Sequence, residues 1–248
     1  MFKHFKTRSS EIEIMDDLEM EGAELSKALD QIQVVNRFLG GYQIVINGLQ
    51  KIINQSKKRL STSGAKPFFN TPIKIADLGC GAGDTLRAIA EWGKKRNLDL
   101  DLYGIDANAF TIDYAEQLSP PQTKITYLQK NIFAEDCCLE EFDIVICSLF
   151  LHHFEEDELL AFFQKCKDSK VKTLLVNDLQ RHWMPYYLFK VVCSALQASH
   201  MTREDGLLSI RKAFTKTDFE QLLQKSGITE YELQWKWAFR YQLICFLP

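Results

Sequence analysis

The most constraining stretch of this 248-residue chain is Asp77-Leu78-Gly79-Cys80-Gly81-Ala82-Gly83-Asp84, which closes the apolar run IKIADL at residues 73–78. An apolar run entering three alternating glycines reads as a buried strand, a sharp turn and the start of a helix over 84–96. Glycines at 79, 81 and 83 let the main chain turn steeply and let a ligand approach it without Cβ atoms in the way. The following helix presents free N–H groups and the positive end of its dipole to the same place. Four more short apolar runs follow, LDLYGID (100–106), KITYLQ (124–129), FDIVICSL (142–149) and VKTLLVND (171–178). Helical stretches separate them, one stopped near 118 by Ser119-Pro120-Pro121 and one around 155–168. Such alternation predicts an α/β fold with a mainly parallel sheet covered on both faces. A helix from Thr217 to Gly227 precedes TEYELQWKW and AFRYQLICFLP, whose connection is too short for a parallel crossover, so an antiparallel pair is expected.

Ahead of this core, the first sixty residues read as helix. Leu18, Gly22, Leu25, Leu29, Ile32 and Val35 form one apolar stripe opposite Asp16, Asp17, Glu21 and Glu24. Gly40-Gly41 interrupts it, and a second helix through Ile44, Val45, Leu49, Ile52 and Ile53 runs to Lys57-Lys58-Arg59. Residues 61–72 have the composition of a linker. The reading is therefore 1–66 as an N-terminal helical extension or cap and 67–248 as the α/β domain, with 183–205 as an aromatic-rich helical insertion before the last helix.

Composition excludes several alternatives. The formal charge of −3 favours neither nucleic acid nor an anionic membrane, and no run of about 18 apolar residues offers a membrane span. Seven scattered cysteines, without Cys/His ligand spacing, fit reduced thiols in a cytoplasmic protein rather than a disulfide framework or zinc site. No metal is expected.

At the tip of the second strand, Asp106 is placed to accept hydrogen bonds from both hydroxyls of a ribose, which makes an adenosine ligand the expectation. The GxGxG spacing lacks the third glycine of a dinucleotide-binding fingerprint, and no GxxxxGK[ST] occurs. Residues 73–84, IKIADLGCGAGD, resemble the first motif of class I S-adenosylmethionine (SAM)-dependent methyltransferases, and the resemblance extends over 73–248. It implies a Rossmann-like, mainly parallel seven-stranded sheet with an antiparallel C-terminal strand. It also implies that Asp77, Gly79, Cys80, Gly81 and Gly83 hold the methionine part of SAM, while Asp106, with Ala107, holds the ribose. Asn131 and Ile132 would meet the adenine, and the backbone at Ser148 and Leu149 the methionine moiety. S-adenosylhomocysteine would be the product.

Methyl transfer is an in-line displacement, so the protein must mainly align the acceptor and exclude water. A base helps a phenol, alcohol or acidic carbon. His152-His153 and His182 lie at the expected mouth, where they either pack and cap or present a base; His153 and His182 are the catalytic candidates. Asp178 either caps a turn or orients a histidine. Arg37 has a fork suited to the cofactor carboxylate. Tyr186, in the insertion, and Arg211, in an expected polar turn over 205–212, are candidate substrate contacts. The leading expectation is O- or C-methylation of a small aromatic, quinone-like or polyketide-like acceptor by a monomer or a homodimer formed through the N-terminal helices. The competing readings are methylation of tRNA or protein, and a non-catalytic SAM-binding or partner-binding module. Ser148-Leu149-Phe150-Leu151 stands where an Asn-Pro-Pro-Tyr-type motif for planar nitrogen acceptors would be, which disfavours base-amine methylation.

Overall fold

The alternation of short apolar runs and amphipathic stretches becomes seven strands and eight α-helices in a computed structural model that describes residues 5–63, 69, 71–134 and 137–248. In chain order they are α1 (Ala23–Phe38), α2 (Gly41–Ser63), β1 (Ile73–Leu78), α3 (Asp84–Lys95), β2 (Leu100–Asp106), α4 (Ala109–Leu118), β3 (Ile125–Gln129), β4 (Ile144–Ser148), α5 (Glu156–Asp168), β5 (Thr173–Leu179), α6 (Trp183–Ala195), α7 (His200–Lys212), α8 (Lys216–Ser226), β6 (Tyr231–Lys236) and β7 (Arg240–Phe246). They form one sheet in the order β3-β2-β1-β4-β5-β7-β6. β7 alone runs opposite to the other six strands, between β5 and β6. This is the Rossmann-like mixed sheet expected of the methyltransferase resemblance.

Period-two alternation sorts the strand residues onto two cores. Ala76, Leu78, Val145, Cys147, Leu174, Val176 and Leu243 meet α5 and α8 through Phe162, Phe163, Phe219 and Leu223. Ile75, Leu102, Ile144, Ile146, Leu175 and Ile244 meet Val45, Leu49 and Ile52 of α2 and Leu86 and Ile89 of α3. Capping agrees with the sequence: Thr215 and Asp218 form a reciprocal box at the start of α8, and Gly227 ends it in the left-handed region. None of the seven cysteines forms a disulfide, and Cys138 is the exposed one. No described helix is long and apolar enough to cross a membrane. The 66/67 boundary, much of the 61–72 linker and the side chains of Lys58 and Arg59 lie outside the described residues.

Two elements differ from the sequence reading. The apolar stripe begins at Leu25, because Gly22 with φ of 91° caps α1; Leu18 lies before the helix and is exposed. Residues 9–20 instead form a strap with one 3-10 turn at Ile14–Asp16. Residues 205–212 are not a turn but the second half of α7, which buries Asp205, Leu207, Ser209, Ile210 and Lys212. The buried carboxylate of Asp205 accepts from the backbone N–H of Ile14 (2.8 Å) and Met15 (2.9 Å), so a polar-looking segment is helical because it holds the strap.

Candidate active site at the carboxyl edge of the sheet

Every parallel strand ends at one edge, and the first loop there is built as its glycines require. Gly79, Gly81 and Gly83 all have positive φ, and the N–H groups of Gly79 and Cys80 both reach the carbonyl of Ile105 at the end of β2. That pair of bonds ties the loop to the neighbouring strand tip. At that tip, Asp106 Oδ2 accepts from the Gly81 N–H and Oδ1 from the Asn108 N–H, both at 3.1 Å. Its carboxylate therefore leans over the loop, and burial raises its pKa against these hydrogen bonds. Asp77 is buried, its pKa driven well up by desolvation and then by Asp84 and Asp106, and its Oδ1 has no hydrogen-bond partner. A Cβ at Gly79 would strike the Phe150 ring, whereas one at Gly81 would meet only Leu29 at 3.8 Å. Gly81 thus lies beneath α1, at ordinary contact distance from Leu29. The burial of Cys80 pushes its thiol well above the ordinary range.

Along the same edge, Asn131 is exposed and its Oδ1 accepts from the Phe133 N–H at 2.9 Å, while Ile132 is buried. Ala107 is half-buried beside Asp106. Ser148 Oγ accepts from Asn177 Nδ2 at 3.0 Å. Leu149 adopts φ of 56°, a left-handed conformation that a leucine holds only where its surroundings impose it.

The histidines separate into three environments. His152 is buried with Nδ1 2.7 Å from Asp178 Oδ1, and the histidine's charge and hydrogen bond bring that carboxylate's pKa down against its burial. Asp178 therefore orients a histidine rather than capping a turn. His153 keeps 24% of its side chain exposed and sets Nδ1 2.7 Å from Asp16 Oδ1. His182 serves as N-cap of α6, where its Nδ1 accepts from the Met184 N–H at 3.2 Å and its ring stacks on Phe239. Fixed as a cap, His182 does not join the other two. His4 lies outside the described residues.

Asp16 reaches His153 because the strap crosses this edge. Asn108 Nδ2 donates to the carbonyls of Leu18 (2.9 Å) and Met20 (2.8 Å), and the Arg8 guanidinium reaches those of His152 (2.9 Å) and Phe154 (2.8 Å). Glu13, on the same strap, is 4% exposed; it accepts from Ser209 Oγ at 2.9 Å through Oε2, and its Oε1 has no hydrogen-bond partner. Desolvation raises its pKa to about 7. Glu13, His152 and His153 offer three potential metal-ligand atoms within 4.8 Å of one another. The Lys212 ammonium already stands there, 3.2 Å from Asp16 and 3.8 Å from Glu13, as the cation facing these carboxylates.

Three sequence candidates lie elsewhere. Arg37 is exposed on α1, because the helical phase of Leu25, Leu29 and Ile32 turns its neighbour Asn36 inward. Arg211 pairs with Glu11 at 2.6 Å on the outside of the strap. Tyr186 packs edge-on against Phe5 under the Lys190 ammonium. Residues given no site role in the sequence carry much of the edge: Glu13, Asp16 and Arg240, the last paired with Asn36, which the sequence marks beside Arg37 without a role of its own. For this pair a signal existed, since Asn36 continues the buried stripe of α1 and Arg240 alternates with Gln242 and Ile244 on a core face.

Comparison with known proteins follows this geometry. A family model described as a methyltransferase domain matches residues 75–172. A small RNA 2'-O-methyltransferase of Xenopus tropicalis is 31% identical over 98 residues, which is 37% of this chain and 27% of that protein. The chain thus spans about a quarter of the length of that relative. The plantazolicin methyltransferase BpumL, solved in complex with S-adenosylhomocysteine, superposes with a TM-score of 0.52 at 16% identity, covering 91% of this chain and 100% of that one. The methyltransferase domain of bacterial CtHen1-CN superposes at 0.50 with 18% identity, covering 80% of this chain and 98% of that one. At these identities the structural likeness concerns the fold.

Proposed function

We propose that this chain, whose residues 75–172 match a methyltransferase domain, is a class I SAM-dependent methyltransferase that methylates an oxygen or carbon of a small hydrophobic or aromatic acceptor. One observation carries the reading: the Asp106 carboxylate, bonded to the Gly81 N–H at 3.1 Å, caps a positive-φ glycine loop that lies beneath Leu29 of α1. The residues fit SAM on their own chemistry. Asp106 accepts from a ribose diol, and the unpartnered Asp77 Oδ1 is a buried acceptor suited to an ammonium. Asn131 and Ile132 offer the adenine an amide and an apolar contact, and the main chain at Ser148 and Leu149 borders the amino-acid tail. When bound, SAM supplies an electrophilic methyl group on a sulfonium.

The chain's own residues then orient the acceptor, exclude water and receive its proton. His153 is the base in this reading. With Asp16 ionised, Nδ1–H donates to that carboxylate, which leaves the Nε2 lone pair to accept the proton of an acceptor hydroxyl. Asp16 holds the ring and stabilises the imidazolium that forms. The strap and α1 cover the edge and keep water out. An apolar cavity of about 250 Å³ lies between α1 and α6–α7, lined by Val34, Val35, Phe189, Val192 and Leu196.

The test measures SAM binding by calorimetry and transfer of labelled methyl to a panel of phenols, quinols and polyketide-like compounds. No binding together with no transfer refutes the enzyme reading. The likeness to a small RNA 2'-O-methyltransferase favours a ribose hydroxyl as the second acceptor class, so a small RNA with free 3' hydroxyls belongs in the panel. Bound S-adenosylhomocysteine without turnover on any acceptor would instead support a cofactor-binding module, and mass analysis in solution separates monomer from homodimer. A protein of this kind is expected in the cytoplasm.

A further inference from the structure

Arg240 is among the largest fully buried side chains of the protein, yet among the described residues it forms no salt bridge. It opens β7 opposite Leu179, at the same sheet edge as the glycine loop. Its Nη1 donates to Asn36 Oδ1 at 3.0 Å, and its Nε has no hydrogen-bond partner. Burial lowers its pKa only to about 10, so the guanidinium is charged at neutral pH. Asp178, whose charge favours the protonated guanidinium, forms no ion pair with it. Asp178 stands opposite Tyr241 and is bonded to His152, on the other face of the strands from Arg240 by their alternation. A buried charge without a counter-ion costs several kcal/mol, so the guanidinium is suited to receive an anion.

The neighbours indicate which anion. Asn36 connects Arg240 to the first turn of α3, with its Nδ2 3.5 Å from Asp84 just after Gly83. The α1–α2 junction is pressed onto the guanidinium so closely that a Cβ at Gly41 would lie 2.7 Å from Nη1 and 1.7 Å from Asn36 Oδ1. The unbonded N–H groups at the start of the 23-residue α2 therefore lie beside the same charge. On the same face of the sheet, Asn177 Oδ1 and Asp77 Oδ1 are buried acceptors without partners. A guanidinium flanked by helix N–H groups, with bare acceptors toward β1, complements a zwitterion.

We propose that Arg240, held in place by Asn36, is the receptor for the α-carboxylate of the cofactor's amino-acid tail, and that this contact sets selectivity for cofactors bearing that carboxylate. The proposal rests on the SAM-binding reading above. It gives to a residue of the last strand the role that the sequence pattern suggested for Arg37.

Three probes test it by calorimetry on the full chain. They are S-adenosylhomocysteine, its analogue lacking only the carboxylate, and 5'-methylthioadenosine, which lacks the whole amino-acid tail. The wild-type protein is expected to lose roughly 30-fold or more in affinity when only the carboxylate is removed, the range for truncating one partner of a buried charge pair. Arg240→Met puts an apolar chain of similar length in place of an unpaired buried charge, so it is expected to fold. It should lose a similar factor for S-adenosylhomocysteine and stay within threefold of wild type for 5'-methylthioadenosine. Equal wild-type affinity for the first two probes overturns the assignment without any variant. So does an Arg240→Met protein that weakens all three probes alike, since the guanidinium would then serve the fold. Failure of every adenosyl compound to bind refutes the underlying reading as well, and is thereby distinguished from failure of the Arg240 assignment alone.

Discussion

Glu13→Gln isolates what a buried, titrating carboxyl does to the strap. Glu13 is 4% exposed and burial lifts its pKa from 4.5 to about 7, against the pull of His153, Lys212 and the Ser209 hydroxyl. A carboxyl whose folded pKa is raised binds more protons in the native state than in the unfolded one between those two values. Its contribution is fully present at low pH and is lost as pH rises through 7. Integrating proton binding with these two pKa values gives about 2 kcal/mol of native-state stability present at pH 5.5 and absent at pH 8. The adjacent Asp16 has a depressed pKa, held down by His153 and the Glu13 backbone against its burial, so it titrates below this window. Glutamine keeps an acceptor for Ser209 Oγ and removes the titration. Urea unfolding at pH 5.5 and 8 should show wild type losing about 2 kcal/mol more than the variant. Hydrogen-exchange protection of residues 9–20, corrected for intrinsic rates, should fall over the same range in wild type and not in the variant. Parallel pH profiles for the two proteins would refute the reasoning.

Three further outcomes are expected. Asp106→Ala removes the acceptor of a ribose diol and should weaken SAM binding by roughly 1–3 kcal/mol by calorimetry, and unchanged affinity would remove Asp106 from the site. Gly41→Ala drives a methyl group into Asn36 Oδ1 and should destabilise by about 1–3 kcal/mol in urea unfolding, since the helix junction must shift; an unchanged midpoint would show slack in that contact. Asp16→Asn should lower turnover on a hydroxyl acceptor by roughly 10- to 10⁴-fold while leaving S-adenosylhomocysteine affinity within threefold. Equal turnover of variant and wild type would release His153 from the role of base.

The sheet was readable because its signals are local. Short apolar runs, proline stops and the terminal glycine of α8 each fix an element within a few residues, and the glycine loop fixes where the ligand edge lies. What escaped reading depends on contacts distant in the chain. Asp16 looks like part of an acidic solvent face, yet it turns inward because Asp205, some 190 positions later, binds the backbone beside it. Arg37 and Asn36 are equally polar as letters, and only the phase of α1 against the sheet decides which is buried. Residues 205–212 read as a turn from their Asp-Gly start, but the strap they secure gives that polarity a partner and lets the helix continue. His182 has the position expected of a base but is consumed as a helix cap.

The antiparallel β7 also bears on how the chain is made. It lies between β5 and β6 yet follows both in the sequence, so a ribosome releases it after both of its neighbours. Until residues 240–246 emerge, β5 has an apolar edge with its amide groups unpaired, a template for association with other nascent chains. The same late segment carries Arg240 into the interior, which couples closing of that edge to the arrival of the buried charge. Protection of the growing chain by a chaperone therefore matters most in the interval between synthesis of Leu179 and synthesis of Phe246.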